Sequence, residues 1–489
     1  MRRMALTAFL AALGWAVASV GATSAFAATL CVGSGPGCYA TIQGALDAAN
    51  DGDTISIASG TFAGGITIDK SIHLLGAGAV LTTIGGGGPV VEIGSDGSGP
   101  TVAISGVTVT GGRNSSNPGP SFAAGGGVKI DTGASVTIAN SAISGNAVAP
   151  ETPFPDQTQA CGETPHDQCA FAQGGGIDNS GTLVLTNIQV TDNVSGSIPG
   201  LAPVASNAGG GGIANHFPGT LLVRNSTVTG NRAVVGLPNG RFTDGGGISS
   251  GGVLKLQDSV VSGNSSDVEA AVPSSFFSGD TQQEANAGGI DLQDGSSATI
   301  IRSTISDNTV TGSNTVGDAN AEAGGIDADG SLLLNDSTVI RNHVRADAPS
   351  GTLALAIEGG LQVQGSLVAH SSRISDNSVV ATSSGGFAGA TGGGLDNLAQ
   401  ATLEDTVVSG NSVTANGPFG AAHGGGVSNF TLDPNNPPDL KMLNSSITGN
   451  SVHASPGITP EGGGLWTDQP LLLVRTTISG NSPDQCFGC

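Results

Sequence analysis

The sequence predicts an all-β chain coiled into a single solenoid of about twelve stacked rungs, closed at its N-terminal end by a short helix. Three observations predict it: a Gly-Gly-aliphatic step recurs ten times, an Asn answers each step, and apolar residues alternate between them. The aliphatics are Val128, Ile177, Ile213, Ile248, Ile290, Ile326, Leu361, Leu395, Val427 and Leu465. The answering residues are Asn146, Asn193, Asn231, Asn264, Asn308, Asn342, Asn377, Asn411, Asn450 and Asn481. The aliphatic-to-Asn distance is 16 or 18 residues in nine repeats and 23 in the tenth, whereas Asn to the next aliphatic ranges from 15 to 31. A rigid rung thus alternates with an elastic loop, as expected of units that stack on their neighbours.

The elements follow in chain order. Residues 1–27 read as a secretory signal peptide: Arg2 and Arg3, an apolar run from Ala5 to Val20, and Ala25-Phe26-Ala27 as a small-x-small cleavage site. Residues 28–112 form the N-terminal cap and first rungs. Within 39–51, Ile42, Ala45, Leu46 and Ala49 fall on one face of a short helix able to cover the open top of the stack. Beyond it, 54–57, 66–68 and 72–75 alternate like strands. Val102, Ile104, Val107 and Val109 make a degenerate rung with Gly112 in the Asn slot. Residues 113–481 are the ten repeats and 482–489 a Cys-containing cap. No later stretch is long and apolar enough to span a bilayer as a helix.

Inside a repeat, the third residue before each Asn is always Ile or Val, and the fifth is Ser or Thr in nine of ten, with Ile188 the exception. Alternation broken by one-residue phase shifts means short strands and tight bends, since a helix would repeat every 3.6 residues. Parallel stacking at ~4.8 Å turns each column into a ladder, about 55 to 60 Å long over the whole coil. The Asn column is expected to be structural, an amide being neither acid nor nucleophile at neutral pH, and to sit at a bend where Asn tolerates left-handed backbone.

Composition bounds the partners. Removal of Arg2 and Arg3 with the signal segment leaves 13 basic residues against 38 acidic, a net charge of about −25. That balance excludes nucleic acid and anionic membrane surfaces and admits cations. The six cysteines form three local pairs, Cys31 with Cys38, Cys161 with Cys169 and Cys486 with Cys489, which in an exported protein read as disulfides.

The segment TIQGALDAANDGDTISIASGTFAGGITIDKSIHLLGAG resembles the first turns of bacterial right-handed parallel β-helix proteins of the pectin-lyase-like superfamily. The repeated G-G-G-[ILV] and [IV]-x-x-N are similar to the G-G-A-[ILV] and F-x-x-N repeats of polymorphic outer membrane proteins, with Gly for Ala and Ile or Val for Phe. The resemblance covers essentially the whole mature chain. It implies a single right-handed parallel β-helix and a secreted or cell-surface, adhesin-like role. Only eight residues follow Asn481, so no translocator barrel is expected there, and release or loose surface association is.

Three constellations are candidates for chemistry. Six residues before the Asn, consecutive rungs carry Asp258, Arg302 and Asp336. Related polysaccharide lyases use an Arg or Lys base beside carboxylate-held calcium, so Arg302 is the candidate base; the preferred reading is a charge-paired ladder, because a paired Arg is a poor base. Just after the Gly-Gly-aliphatic step, Asp291 and Asp327 stack on adjacent rungs with Asp294 and Asp329 nearby, hard oxygens that could hold calcium. The hydrolase pattern of N-x-D, D-D, G-H-G and R-x-K does not occur, and no other cofactor is expected. Finally, the loops between Asn and the next Gly-Gly carry Phe122, Phe154, Phe171, Phe242, Phe276, Phe277, Phe387 and Phe419. Insertions on one edge commonly build a binding face, here Phe122, Phe242, Phe276, Phe277, Phe387 and Phe419; the alternative is that these rings pin loops to the stack. The expectation is a monomeric, non-enzymatic, adhesin-like or glycan-contacting scaffold, with a polysaccharide lyase or glycoside hydrolase as the rival.

Overall fold

The computed structural model describes residues 27–95, 97–115, 118–119, 122–150, 170–197, 207–236, 241–270, 283–349, 353–431 and 437–489. The signal segment up to Phe26, the Cys161 and Cys169 pair, Phe154, Phe276 and Phe277 lie outside the described residues.

The chain is a right-handed parallel β-helix, and one repeat explains the rest. From Gly288-Gly289 the chain enters Ile290–Leu292 in a first sheet. It turns into Ser297–Ile301 and Thr304–Ser306, two limbs of a second sheet. It bends at Asn308, runs through Thr309–Asn314 in a third sheet and Ala319–Glu322 in a fourth, and returns to Ile326 one level on. Ile290 pairs with Ile326 and Ile305 with Val339, so like stacks on like as the repeat requires.

Among the described residues the first sheet has 13 strands, the second 25, the third 10 and the fourth 11. Thirteen levels, one more than the sequence reading, span about 58 Å at ~4.8 Å each. The additional level comes from Cys486–Phe487, which pairs with Leu465–Thr467. Among the described strands only Pro118–Gly119 and Phe122–Ala124 pair antiparallel.

The segments read as elastic loops are the main correction. They form the third and fourth sheets, which close on a second core of Ala and Val, including Ala123, Val310, Ala321, Val344, Ala356 and Ala390. The first core, between the first and second sheets, is mainly Ile, Leu and Val, with a buried side chain of that size contributing ~1.5–3 kcal/mol. Small residues suffice for the second core, so its segments lack the large-aliphatic rhythm by which the first was recognised.

The N-terminal cap is a helix over Ile42–Ala48 with Ile42, Ala45 and Leu46 buried. Thr41 caps it, its hydroxyl accepting from the Gly44 N–H at 3.1 Å. At the other end Lys70 Nζ donates to the carbonyls of Leu46, Asp47 and Ala49 in the last turn and cap of the helix. Disulfides join Cys31 to Cys38 and Cys486 to Cys489. Among the described residues no helix is long and apolar enough to cross a membrane.

The Asn column is a continuous, buried ladder. Each Nδ2 donates to the next Oδ1 at 2.9–3.0 Å from Asn146 to Asn481. Each backbone N–H donates to the same oxygen at 2.9–3.1 Å. Gly112 N–H opens the ladder on Asn146, and Gln485 closes it by accepting from Asn481. A Cβ on Gly289 would stand 2.4 Å from the Gly325 carbonyl and 2.9 Å from Asn308 Nδ2. The Gly-Gly step and the Asn that answers it are thus two sides of one contact.

The left-handed backbone is not at these asparagines. It falls on the residue before each, such as Asp307 and Arg341, and on the column six before, including Asn140, Asp258, Arg302, Asp336 and Asn444 at φ 45–51°. The ladder Asn itself is free to turn its amide inward. The Ser/Thr column also links the rungs: backbone N–H groups donate to the next hydroxyl, as Ser259 to Ser303 and Ser303 to Ser337.

Candidate functional site

The fourth sheet meets the first at a bend that runs the length of the coil. Its corner residue has positive φ in every repeat, and seven are Gly: Gly125, Gly174, Gly210, Gly245, Gly392, Gly424 and Gly462. The remaining three are consecutive, Ala287, Ala323 and Glu358, with φ of 46°, 54° and 56°. Non-glycine residues there carry a conformational cost of order 1–3 kcal/mol each. Strain is concentrated in the same stretch where carboxylates gather.

On the fourth-sheet side of this stretch stand Asp244, Glu284 and Glu322; on the first-sheet side stand Asp291, Asp327 and Asp396; Glu358 occupies the corner and Asp329 the turn beyond. They span five repeats, about 19 Å. Asp291, Asp327, Glu358 and Asp396 form a buried floor, while Asp244, Glu284, Glu322 and Asp329 form a half-buried rim. Among the described residues no Lys, Arg or His makes an ion pair with any of the eight.

Donors are few. Ser249 Oγ donates to Asp291 at 2.8 Å, Thr391 Oγ1 to Asp396 at 3.2 Å, and Asn320 and Gln362 to Glu322 at 2.8 and 3.2 Å. Neither oxygen of Glu358 receives a donor, although the residue is wholly buried, and Asp327 Oδ1 is equally unpartnered. The carboxyl of Glu358 meets that of Asp396, and Glu284 meets Glu322.

The electrostatic result is uniform. Burial, then the charge of Asp329, pushes Asp244 up to about 6, and burial pushes Asp396 up to about 6. Burial followed by neighbouring carboxylates holds Glu284, Asp291, Asp327 and Glu358 well above the ordinary range, and raises Asp329. At each of these positions the surroundings stabilise the neutral carboxyl relative to the charged one more than water does.

The same corner is aromatic at its C-terminal end. His423 lies 4.8 Å from Trp466 between ring centroids, Phe430 6.2 Å and Phe487 6.3 Å, the last stacked parallel. Trp466 Nε1 donates to Glu461 at 3.2 Å, fixing the indole plane. Further up the corner, His216 Nε2 meets Asp178 at 2.6 Å. Burial opposes protonation of that imidazole, but the bond and charge of Asp178 outweigh it and raise its pKa.

The structure separates the three sequence-derived constellations. Arg302 Nε and Nη2 donate to the Asp258 carboxylate at 2.7 and 2.8 Å on an exposed bend between the two limbs of the second sheet. The Arg302 hydrogen bonds hold Asp258 below the usual carboxylate range, whereas Asp336 reaches Arg302 only through its charge. Of the calcium candidates, Asp291 and Asp327 stack in register on the floor of the corner, Asp329 is half-buried and Asp294 is exposed. Among the described residues no three His, Cys, Asp or Glu side chains converge as a ready-made metal centre.

Phe122, Phe171, Phe242, Phe387 and Phe419 all belong to the fourth sheet. They fall into two ring pairs, Phe122 with Phe171 and Phe387 with Phe419, each 6.3 Å apart, with Phe242 between Asn207 and Glu284. Asp244, Glu284, Glu322, Glu358 and Asp396 were not singled out from sequence. The available signal was the loss of Gly from the corner position in Ala287, Ala323 and Glu358, visible once the Gly-Gly steps are aligned.

No protein-family model and no curated protein matches the chain. Two solved structures are similar in part: the periplasmic alginate epimerase AlgG, at 11% identity and a TM-score of 0.28, and a single-residue variant of that enzyme, at 11% and 0.27. Each match covers 87% of this chain and 76% of the other. At that similarity the parallel β-helix of this protein rests on its own strand pairing.

Proposed function

We propose that the protein is an exported, adhesin-like β-helix scaffold without catalytic activity, which contacts glycan along the corner between its fourth and first sheets. In this reading the repeats are kin to those of the pectin-lyase-like superfamily and of polymorphic outer membrane proteins. The observation that carries it is the aromatic cluster around Trp466 at the end of an acid-lined corner. A flat ring face with hydrogen-bonding groups beside it suits a sugar, whose ring is apolar on one side and rimmed by hydroxyls. The two local disulfides among the described residues and the N-terminal signal segment support export.

Among the described residues no Lys, Arg or His is ion-paired to the acid row, which favours a contact surface over a lyase centre, since the latter needs a base beside its carboxylates. One observation favours the hydrolytic rival: carboxyls held near pH 6, such as Asp244 and Asp396, are in the range of a general acid.

The mature protein, incubated with a panel of neutral and acidic polysaccharides, is expected to bind at least one and cleave none. Trp466→Ala should weaken binding about tenfold, or ~1.4 kcal/mol. Reproducible chain cleavage would install the enzyme reading, and binding indifferent to Trp466 would remove the corner from the contact surface.

A further inference from the structure

We propose that the acid-lined corner centred on Glu358 is a divalent-cation site of the calcium type, in which the ion sits between paired carboxylates of adjacent repeats. Glu358 occupies a left-handed position that seven other repeats give to Gly, so its backbone is strained. Its carboxyl is wholly buried, and among the described residues no N–H or O–H reaches either oxygen. Backbone strain and an unsatisfied buried acid are both unfavourable, and together they mark a position kept for something other than packing.

The neighbours define the ligand. From the fourth sheet Asp244, Glu284 and Glu322 face the corner; from the first sheet come Asp291, Asp327 and Asp396; Asp329 stands at the turn, with Asp294 acting on it from the exposed side. All are acids. Asp327 Oδ1 lacks a donor like Glu358, so the deficit is not confined to one side chain. Carboxyls meet in two pairs, Glu358 with Asp396 and Glu284 with Glu322. Such a pair is neutralised by a shared proton or by a cation.

A pair of carboxylates supplemented by hydroxyl or amide oxygens and water is coordination that Ca²⁺ accepts, because it tolerates irregular shells of six to eight oxygens. Thr391 and Asn320 stand beside the two pairs. Mg²⁺ demands a tighter octahedron and sheds water reluctantly, so Ca²⁺ is the better fit. The inference does not depend on glycan contact.

The test uses the whole mature chain in about 150 mM NaCl, which screens diffuse attraction to a strongly acidic surface. Metal-stripped protein is titrated with CaCl₂ and separately with MgCl₂, reading bound ion by equilibrium dialysis and apparent Tm by circular dichroism. Saturable Ca²⁺ binding with a rise of a few degrees in Tm is expected, with Mg²⁺ much weaker. Glu358→Gln should abolish the calcium-dependent rise while raising the Tm of the metal-free protein at neutral pH. Asp405→Asn, at an exposed left-handed bend where other repeats have Asn, should leave both unchanged. If Ca²⁺ fails to bind or to shift the Tm of the wild type while acid alone does, protons neutralise the corner and the proposal is overturned. Equal loss in both variants would assign the ion to the general surface and overturn it as well.

Discussion

Replacing Asn308 by Ala removes one link from the middle of the amide ladder. In the native chain Asn308 Nδ2 donates to Asn342 Oδ1 at 2.9 Å and to the Val261 carbonyl at 3.1 Å. Its Oδ1 accepts from the Asn264 N–H at 3.0 Å and from Asn264 Nδ2 at 2.9 Å. The truncation deletes all four bonds at a site with no solvent access. Asn264 Nδ2 retains the Val228 carbonyl and Asn342 Oδ1 retains the Asn308 N–H, so those two groups are only partly deprived. The Asn264 N–H and one lone pair of Val261 lose their partner. At ~1–3 kcal/mol for each buried group left unsatisfied, the expected loss is about 3–5 kcal/mol. Guanidinium unfolding followed by circular dichroism, with limited proteolysis to detect opening confined to neighbouring repeats, measures it. Asn308→Asp sharpens the test: its carboxylate would face the Val261 and Asn342 oxygens at neutral pH, and protonation would restore a donor, so this variant should recover stability on acidification. A folded Asn308→Ala chain losing less than ~1 kcal/mol would refute the claim that the ladder is a principal source of cohesion.

Two further outcomes follow from the geometry. Gly289→Ala should destabilise by several kcal/mol, because its Cβ would stand 2.4 Å from a backbone carbonyl, whereas Gly385→Ala, with open space around it, should be nearly neutral; chemical denaturation of both tests the contact. In the absence of divalent ions, stability should rise as pH falls from 7 to 5. Asp244 and Asp396 titrate at about 6 when folded against ~3.9 unfolded, and burial and neighbouring carboxylates hold Glu284, Asp291, Asp327 and Glu358 well above the ordinary range, so the folded chain binds more protons across this window. Their stabilisation is complete below about pH 4 and is lost as pH rises through their folded pKa values. His216, raised by Asp178, acts in the same sense, while His343 and His423, lowered chiefly by burial, oppose it. Apparent Tm against pH reads the balance, and a Tm that falls steadily over that interval would contradict the assignment.

What could be read from the sequence depended on side-chain size. Ile290, Ile300 and Ile305 repeat at fixed offsets from Asn308, so the first two sheets and the ladder are visible without coordinates. Val310, Ala321 and Ala346 are small, and the stretches holding them vary in length, so the third and fourth sheets pass for loops. The acid corner was hidden for the same reason. Asp244, Glu322 and Glu358 become neighbours of Asp291, Asp327 and Asp396 only once the fourth sheet is known to exist. The stacked Asp291 and Asp327 were legible because both follow the Gly-Gly-aliphatic mark directly.

The asparagine amides all point one way, each handing one hydrogen to the amide oxygen of the next level and the other back to a carbonyl of the level before, as Asn308 does to Asn342 and Val261. Any level therefore presents to the next the same donor face that it met in the level before it. Removing or duplicating one whole repeat would join identical faces and leave both ends of the column as they are. Chain length is consequently a quantity that this architecture can change by whole repeats without redesigning its caps.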